Sequence, residues 1–115
     1  MKQYDSYMIF GCHFPKSAIS LITANSSLKY FNEKIRQTYG CEIVELFVPI
    51  NEKDSIKQYF VRIIVEQSDP SIIKYNLIKD IDLTKYKDLL GIFELDNKEP
   101  YIIAVPIVRE LPNYE

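Results

Sequence analysis

The stretch Phe10–Ser17, FGCHFPKS, contains the densest group of reactive side chains in the sequence, including a cysteine, the single histidine and a lysine. A thiol nucleophile needs a general base within hydrogen-bond reach, about 3 Å. Cys12 and His13 are adjacent, and adjacent side chains of an extended chain leave on opposite faces. We therefore predict that Cys12 is a small buried hydrophobe. The alternative is a small enzymatic or ligand-binding site at the end of the first strand, formed by Cys12, His13 and Lys16.

Metal and phosphate chemistry are both disfavoured in this stretch. A closed structural zinc site takes four ligands, often in pairs such as C-x-x-C, whereas the chain has two cysteines and one histidine in all. The order Gly11, Lys16, Ser17 resembles a phosphate-binding loop, but it is one residue short and Pro15 occupies the position of a glycine. With three glycines in the whole chain, a glycine-rich cofactor loop is excluded as well. We expect neither a metal nor a cofactor.

Carboxylates provide the next candidate surface. In a strand, residues i and i+2 share a face, so Glu94 and Asp96 are predicted to lie side by side. Together with Glu99 and Tyr101 they would flank the turn of a hairpin. The group is either a solvated hairpin tip or an acidic patch that contacts a protein partner.

In the first half of the chain, hydrophobic periodicity and turn residues predict two strands and two helices. They are a strand over Tyr7–Phe10 closed by Gly11, a helix over Pro15–Thr23, a helix over Leu28–Tyr39 and a strand over Cys41–Ile50 ended by Pro49. Asn25, Ser26 and Ser27 are N-cap candidates for the second helix, and Gly40 is its predicted end. Its apolar stripe consists of Leu28, Phe31, Ile35 and Tyr39.

The second half begins with the clearest alternation in the chain, a strand predicted over Lys57–Gln67. One face carries Tyr59, Val61, Ile63 and Val65, and the other carries Phe60, Arg62, Ile64 and Glu66. The second face mixes apolar and charged groups, so Phe60 and Arg62 either pack under a helix end or contact a partner.

The remaining segments are predicted from caps and turns. A helix starts at Ser68–Pro70 and continues as one interrupted or two short helices to Gly91, with Asp82 as a second cap. A closing hairpin follows, built from a strand over Ile92–Asp96, a turn over Asn97–Pro100 and a strand over Tyr101–Val108. Pro106 cannot donate to a ladder, so the last strand is predicted to lie at an edge of the sheet or to be bulged at this residue.

This order predicts a single α+β domain over residues 1–115. The fold is a two-layer sandwich with a mainly antiparallel sheet and two helical segments. The first six elements have the ferredoxin-like β-α-β-β-α-β order, followed by a C-terminal strand. The composition agrees, with 47% hydrophobic and 26% charged residues. A chain of this size can bury a core without disulfides.

Charge and hydropathy exclude several classes of partner. The net charge is −2 and no Lys/Arg cluster is present, whereas nucleic-acid binding depends on cationic groups that displace counterions. No secretory signal follows Met1, and no apolar run approaches the ~20 residues that cross a bilayer. We expect a cytoplasmic protein with free thiols that binds neither nucleic acid nor a membrane.

No catalytic motif is present, so we predict a small protein-binding module, such as an inhibitor, an immunity-type protein or an accessory protein. The 17 Ile and nine Tyr fit a sheet-rich core and also an A+T-rich genome, which indicates a microbial source, a phage or other virus, or a mobile element. The alternatives are the enzymatic site at Cys12, His13 and Lys16, and a homo-oligomer with a site between subunits.

Overall fold

The computed structural model describes residues 2–65 and 81–110, with side chains for residues 8–65 and 81–106. The described elements, in chain order, are β1 (Lys2–Phe14), α1 (Lys16–Thr23), α2 (Leu28–Tyr39), β2 (Cys41–Pro49), β3 (Ser55–Ile63), α3 (Thr84–Gly91) and β4 (Tyr101–Glu110). The predicted α+β class is confirmed. The helix start predicted at Ser68–Pro70 and the stretch 71–80 lie outside the described residues.

The four described strands form one antiparallel sheet in the order β2-β3-β1-β4. β1 pairs with β4 from Lys2↔Glu110 to Gly11↔Tyr101, but it pairs with β3 only over residues 11–14. β2 and β3 form a hairpin that extends beyond the end of β1. β3 ends at Ile63, so the predicted continuation through Ile64 and Val65 is wrong.

Helix α2 is set by its own caps and matches its prediction at both ends. The Ser27 hydroxyl accepts a hydrogen bond from the Tyr30 N–H at 3.1 Å, which satisfies one of the free donors of the first turn. Gly40 ends the helix in the left-handed region, with φ of 61°, where a glycine has no steric penalty. The predicted apolar stripe packs in or against the main core.

Helix α1 begins one residue later than predicted. Pro15 has extended backbone angles and is the N-cap residue, and its carbonyl accepts from the N–H groups of Ala18 and Ile19. A short turn separates α1 from α2, in agreement with their prediction as two separate helices.

Strand β1 continues through Gly11 to Phe14, so the predicted strand end at Gly11 is wrong. The reason is a close approach of two backbones. A Cβ at Gly11 would overlap the carbonyl oxygen of Val61 on β3. Glycine therefore permits β3 to lie against β1 at Gly11, the residue at which the pairing of β1 with β4 ends and its pairing with β3 begins.

Each face of the sheet packs against its own apolar core. The main core lies between the sheet and the helices, and includes Phe14, Ile35, Tyr86 and Leu90. The second core lies on the opposite face, around the buried side chains of Ile9, Phe60 and Val105. β2 and β4 occupy opposite ends of the strand order yet contact each other, so the sheet curls around the second core.

The segment after α3 is a turn, and the strand predicted over Ile92–Asp96 is wrong. The Leu95 N–H donates to the Leu90 carbonyl at 2.9 Å, and the Glu94 N–H donates to the Gly91 carbonyl at 3.1 Å. This is the Schellman pattern of a helix end, in which one residue takes the left-handed conformation. That residue is Glu94, with φ of 60°. The last strand, β4, is at the edge of the sheet as Pro106 predicted.

Candidate functional site

The pleat of β1 sends Cys12 and His13 to opposite faces of the sheet. Cys12 is 2% exposed and belongs to the main core. His13 is exposed, and its ring contacts Phe60 edge to face with centroids 5.5 Å apart. Since Phe60 belongs to the second core, the thiol and the imidazole are not placed as a nucleophile and its base.

Lys16, the third residue of the predicted enzymatic site, lies in the first turn of α1 and is exposed. Lys16 follows the end of β1 and lies outside the main core that contains Cys12. The structure therefore gathers none of the three residues into one enclosed site.

Cys12 instead belongs to a small polar group inside the main core. Its thiol is a hydrogen-bond partner of the Tyr86 hydroxyl, which donates to the Lys98 carbonyl at 3.3 Å. The Cys41 thiol donates to the Tyr39 carbonyl at 3.3 Å. Each of these three buried side chains thus has a partner, as a stable core requires.

Burial keeps these groups in their neutral forms at neutral pH. It raises the pKa of the Cys12 thiol, against a smaller opposing effect of the Tyr86 hydrogen bond. It also raises the pKa of Cys41 to about 12, with a further contribution from Cys12. The pKa of Tyr86 is raised by burial and by its hydrogen bond to Cys12. The thiolate that would act as a nucleophile or metal ligand is thereby disfavoured.

The two cysteines are free, and the sheet holds them apart. Cys41 on β2 pairs with Ile63 and Cys12 on β1 pairs with Val61, so β3 lies between them. Two strand spacings amount to about 10 Å, which exceeds the ~7 Å limit between the Cα atoms of a disulfide. The pair therefore cannot be oxidised to a disulfide without moving a strand.

His13 lies beside a lysine. The Lys98 ammonium donates to the His13 carbonyl at 3.4 Å. Partial burial lowers the pKa of the imidazole, and the positive charge of Lys98 lowers it further. The imidazole is therefore protonated to a smaller extent at pH 7 than that of an ordinary histidine.

The acidic candidates lie on the connection between α3 and β4. Glu94, Asp96 and Glu99 are all exposed, and Glu99 forms an ion pair with Lys87 at 3.0 Å. Tyr101, at the start of β4, is 55% exposed. Because Glu94 is in a helix-ending turn and not in a strand, the strand geometry from which the side-by-side arrangement with Asp96 was predicted is absent.

The mixed face of β3 is only partly available for contact. Phe60 is 5% exposed and fills the second core, so it does not present a surface. Arg62 forms an ion pair with Glu42 on β2, and Glu42 also accepts from Arg36 at 2.8 Å. Arg62 therefore belongs to a network that joins β2, β3 and α2.

Exposed apolar side chains form a further set of candidates that the sequence patterns did not single out. Ile92 directly follows α3 and is 59% exposed. On the β2–β3 hairpin, Phe47 is 54% and Ile50 is 66% exposed. The position of Ile92 directly after Gly91 was a usable signal, because residues that follow a helix end are often at the surface.

Residues 2–65 and 81–110 contain no group of three or more His, Cys, Asp and Glu side chains that could hold a metal ion. No helix within these ranges is long and apolar enough to span a bilayer. Comparisons of the chain with protein-family models, with curated proteins and with solved structures found no match.

Proposed function

We propose that the protein is a small protein-binding module, of the inhibitor, immunity or accessory type, and that it binds its partner through the connection between α3 and β4. We call the exposed side chains of this connection the acidic surface: Ile92, Glu94, Asp96, Glu99 and Tyr101. The supporting observation is that two large apolar side chains, Ile92 and Tyr101, are each more than half exposed and flank three exposed carboxylates. Aromatic and aliphatic anchors surrounded by polar groups are typical of protein interfaces.

The acidic surface is held in place by bonds to the rest of the domain. The helix-ending turn at Glu94 fixes its first half. The Tyr86 hydroxyl and the His13 carbonyl hold Lys98, through its main chain and its ammonium respectively. A surface fixed before binding loses little conformational entropy on association. The partner that fits it presents cationic groups around an apolar contact.

The enzymatic alternative at Cys12, His13 and Lys16 has less support, because Cys12 is buried and His13 leaves on the other face. We also propose the ferredoxin-like arrangement. The antiparallel order β2-β3-β1-β4 supports it, since β3 then separates two strands that run in the same direction. The free thiols support a cytoplasmic location.

The test is affinity capture with tagged protein, followed by mass spectrometry of stoichiometric partners. One variant alters the acidic surface through Glu94→Lys, Asp96→Lys and Tyr101→Ala. A matched control places the same charge change elsewhere, through Glu33→Lys and Glu52→Lys, both exposed positions. We expect a partner that the wild type and the control retain, that the surface variant loses, and whose binding weakens as salt is added.

Two results would contradict the proposal. If the surface variant retains the partner as well as the wild type does, the acidic surface is not the binding site. If no stoichiometric partner is captured by any of the three proteins, the protein-binding function itself is wrong.

A further inference from the structure

Asn32 of α2 is a buried polar side chain that binds the main chain of β2. It is 8% exposed. Its Nδ2 donates to the Ile43 carbonyl at 2.9 Å, and its Oδ1 accepts from the Ile43 N–H at 2.8 Å. Both main-chain groups of one strand residue are therefore bound by a single carboxamide.

These bonds show which way the backbone of β2 points. In an antiparallel pair, successive residues direct their N–H and C=O groups alternately toward the partner strand and away from it. Since Ile43 is bound by Asn32 and not by β3, its groups point to the outer edge of β2. By the same alternation, Cys41, Glu45, Phe47 and Pro49 also point outward.

The part of the outer edge of β2 that another strand could pair with is therefore short. β2 is the terminal strand in the sheet order. Ile43 is occupied by Asn32, and Pro49 has no N–H to donate. Between them lie Glu45 and Phe47, whose main-chain groups have no partner outside the strand ladder within the described part of the chain.

We propose that the Asn32 carboxamide is an edge guard: it occupies Ile43 as a neighbouring strand would, and so prevents a second copy of this chain from pairing along β2. An exposed strand edge is a template for pairing with another chain, and natural proteins shorten or cover such edges. Among the described residues, Asn32 and Pro49 limit the longest outward stretch left for pairing to Glu45 and Phe47, which is too short for a stable interface. Without Asn32, the free edge would extend from Cys41 to Phe47.

The experiment compares Asn32→Ala and Asn32→Asp with Gln37→Ala, which removes an exposed carboxamide from the same helix. Mass is measured by size-exclusion chromatography with light scattering over a hundredfold range of concentration. The wild type and Gln37→Ala are expected at the 13.5 kDa of one chain. Both Asn32 variants are expected to shift to twice that mass or more as concentration rises.

A second substitution locates the association. Glu45→Pro removes an outward N–H without removing a bond to β3, so the double variant Asn32→Ala with Glu45→Pro should return to the mass of one chain. Folded Asn32 variants that stay monomeric at every concentration would overturn the proposal. So would an association that Glu45→Pro does not reverse.

If the Asn32 variants fail to fold, hydrogen exchange of the wild type gives the answer. Under the proposal the Ile43 amide is protected, while the Glu45 and Phe47 amides exchange rapidly at every concentration. Protection of Glu45 and Phe47 that increases with concentration would show that β2 already pairs with a second copy, and the edge-guard proposal would be wrong.

Discussion

The Cys12 thiol and the Tyr86 hydroxyl are hydrogen-bond partners inside the main core, and Tyr86 continues the chain of bonds to the Lys98 carbonyl. Tyr86 is 1% exposed. The bond joins β1 to α3, and through Lys98 it reaches the connection that carries the acidic surface. The thiol of Cys12 therefore has a structural role in the main core.

Replacing Tyr86 by Phe tests this role. The change leaves the Lys98 carbonyl and the Cys12 thiol without their partner, and a lost buried hydrogen bond costs about 1 kcal/mol of unfolding free energy. Urea denaturation measures it. The control is Tyr101→Phe at an exposed position, where we expect no change. An equally stable Tyr86→Phe protein would contradict the structural role.

Alkaline pH should destabilise the protein. The pKa values of Cys12, Cys41 and Tyr86 are all raised on folding, so above pH 9 the unfolded chain loses protons that the folded chain keeps. The stabilisation is complete below about pH 9 and is lost as pH rises toward the folded pKa values, at about 1.4 kcal/mol per pH unit per group. Urea midpoints at pH 7, 9 and 10 measure the loss, and the slope should be smaller in Cys41→Ala. A midpoint that stays constant up to pH 10 would show that the groups are not held neutral.

Cys12 should also resist alkylation in the native protein. A buried thiol with a raised pKa has little thiolate at neutral pH, so iodoacetamide at pH 7.5 should label it only after denaturation. Rapid labelling of native Cys12 would reopen the enzymatic alternative. Cys41, which is fully buried, provides an internal reference in the same experiment.

Because His13 is the single histidine of the chain, its pKa can be measured by NMR titration without overlap from other imidazoles. Its pKa is expected below the ordinary 6.5, chiefly because of partial burial and to a smaller extent because of Lys98. Lys98→Met should therefore raise it only in part. Because the folded pKa is depressed, the associated stability is present above pH 6.5 and decreases as pH falls through the folded value. A His13 pKa at or above 6.5 would contradict the partial burial of its ring by the contact with Phe60.

Gly11→Ala should be severely destabilising, by about 3 kcal/mol or more, because the new Cβ overlaps the Val61 carbonyl and neither backbone can move without breaking the sheet. Gly91→Ala is the matched control. Its Cβ would meet nothing closer than Asp96 at 3.9 Å, and alanine favours a helix by up to about 1 kcal/mol. Thermal or urea unfolding compares the two. Equal stability of both variants would show that β1 and β3 do not approach closely at Gly11.

Glu94→Gly should stabilise the protein by about 1 kcal/mol, since φ of 60° is costly for a residue with a Cβ. Glu94→Ala removes the carboxylate but keeps the Cβ, and it should not have this effect. The difference between the two variants in unfolding free energy isolates the backbone contribution. If glycine and alanine are equivalent there, the left-handed turn at the end of α3 is absent.

Elements with local signals were predictable from the sequence. The ends of α2 follow from Ser27 and Gly40, whose effects act within one turn of the helix. The turn after α3 was not predictable in this way. The sequence predicted a hairpin strand over Ile92–Asp96 ahead of the turn residues Asn97–Pro100. The packing of Leu95 against the main core and its bond to Leu90 instead favour a helix-ending turn.

The sequence by itself determined that Cys12 and His13 diverge, because the pleat of an extended chain alternates side chains at every residue. It also determined the α+β class, since periodicity and caps distinguish helix from strand locally. Only the tertiary structure decided that Phe60 is buried and that Asn32 binds the edge of β2. Both depend on where distant strands and helices meet: the curl of the sheet covers Phe60, and the packing of α2 on β2 brings Asn32 to Ile43.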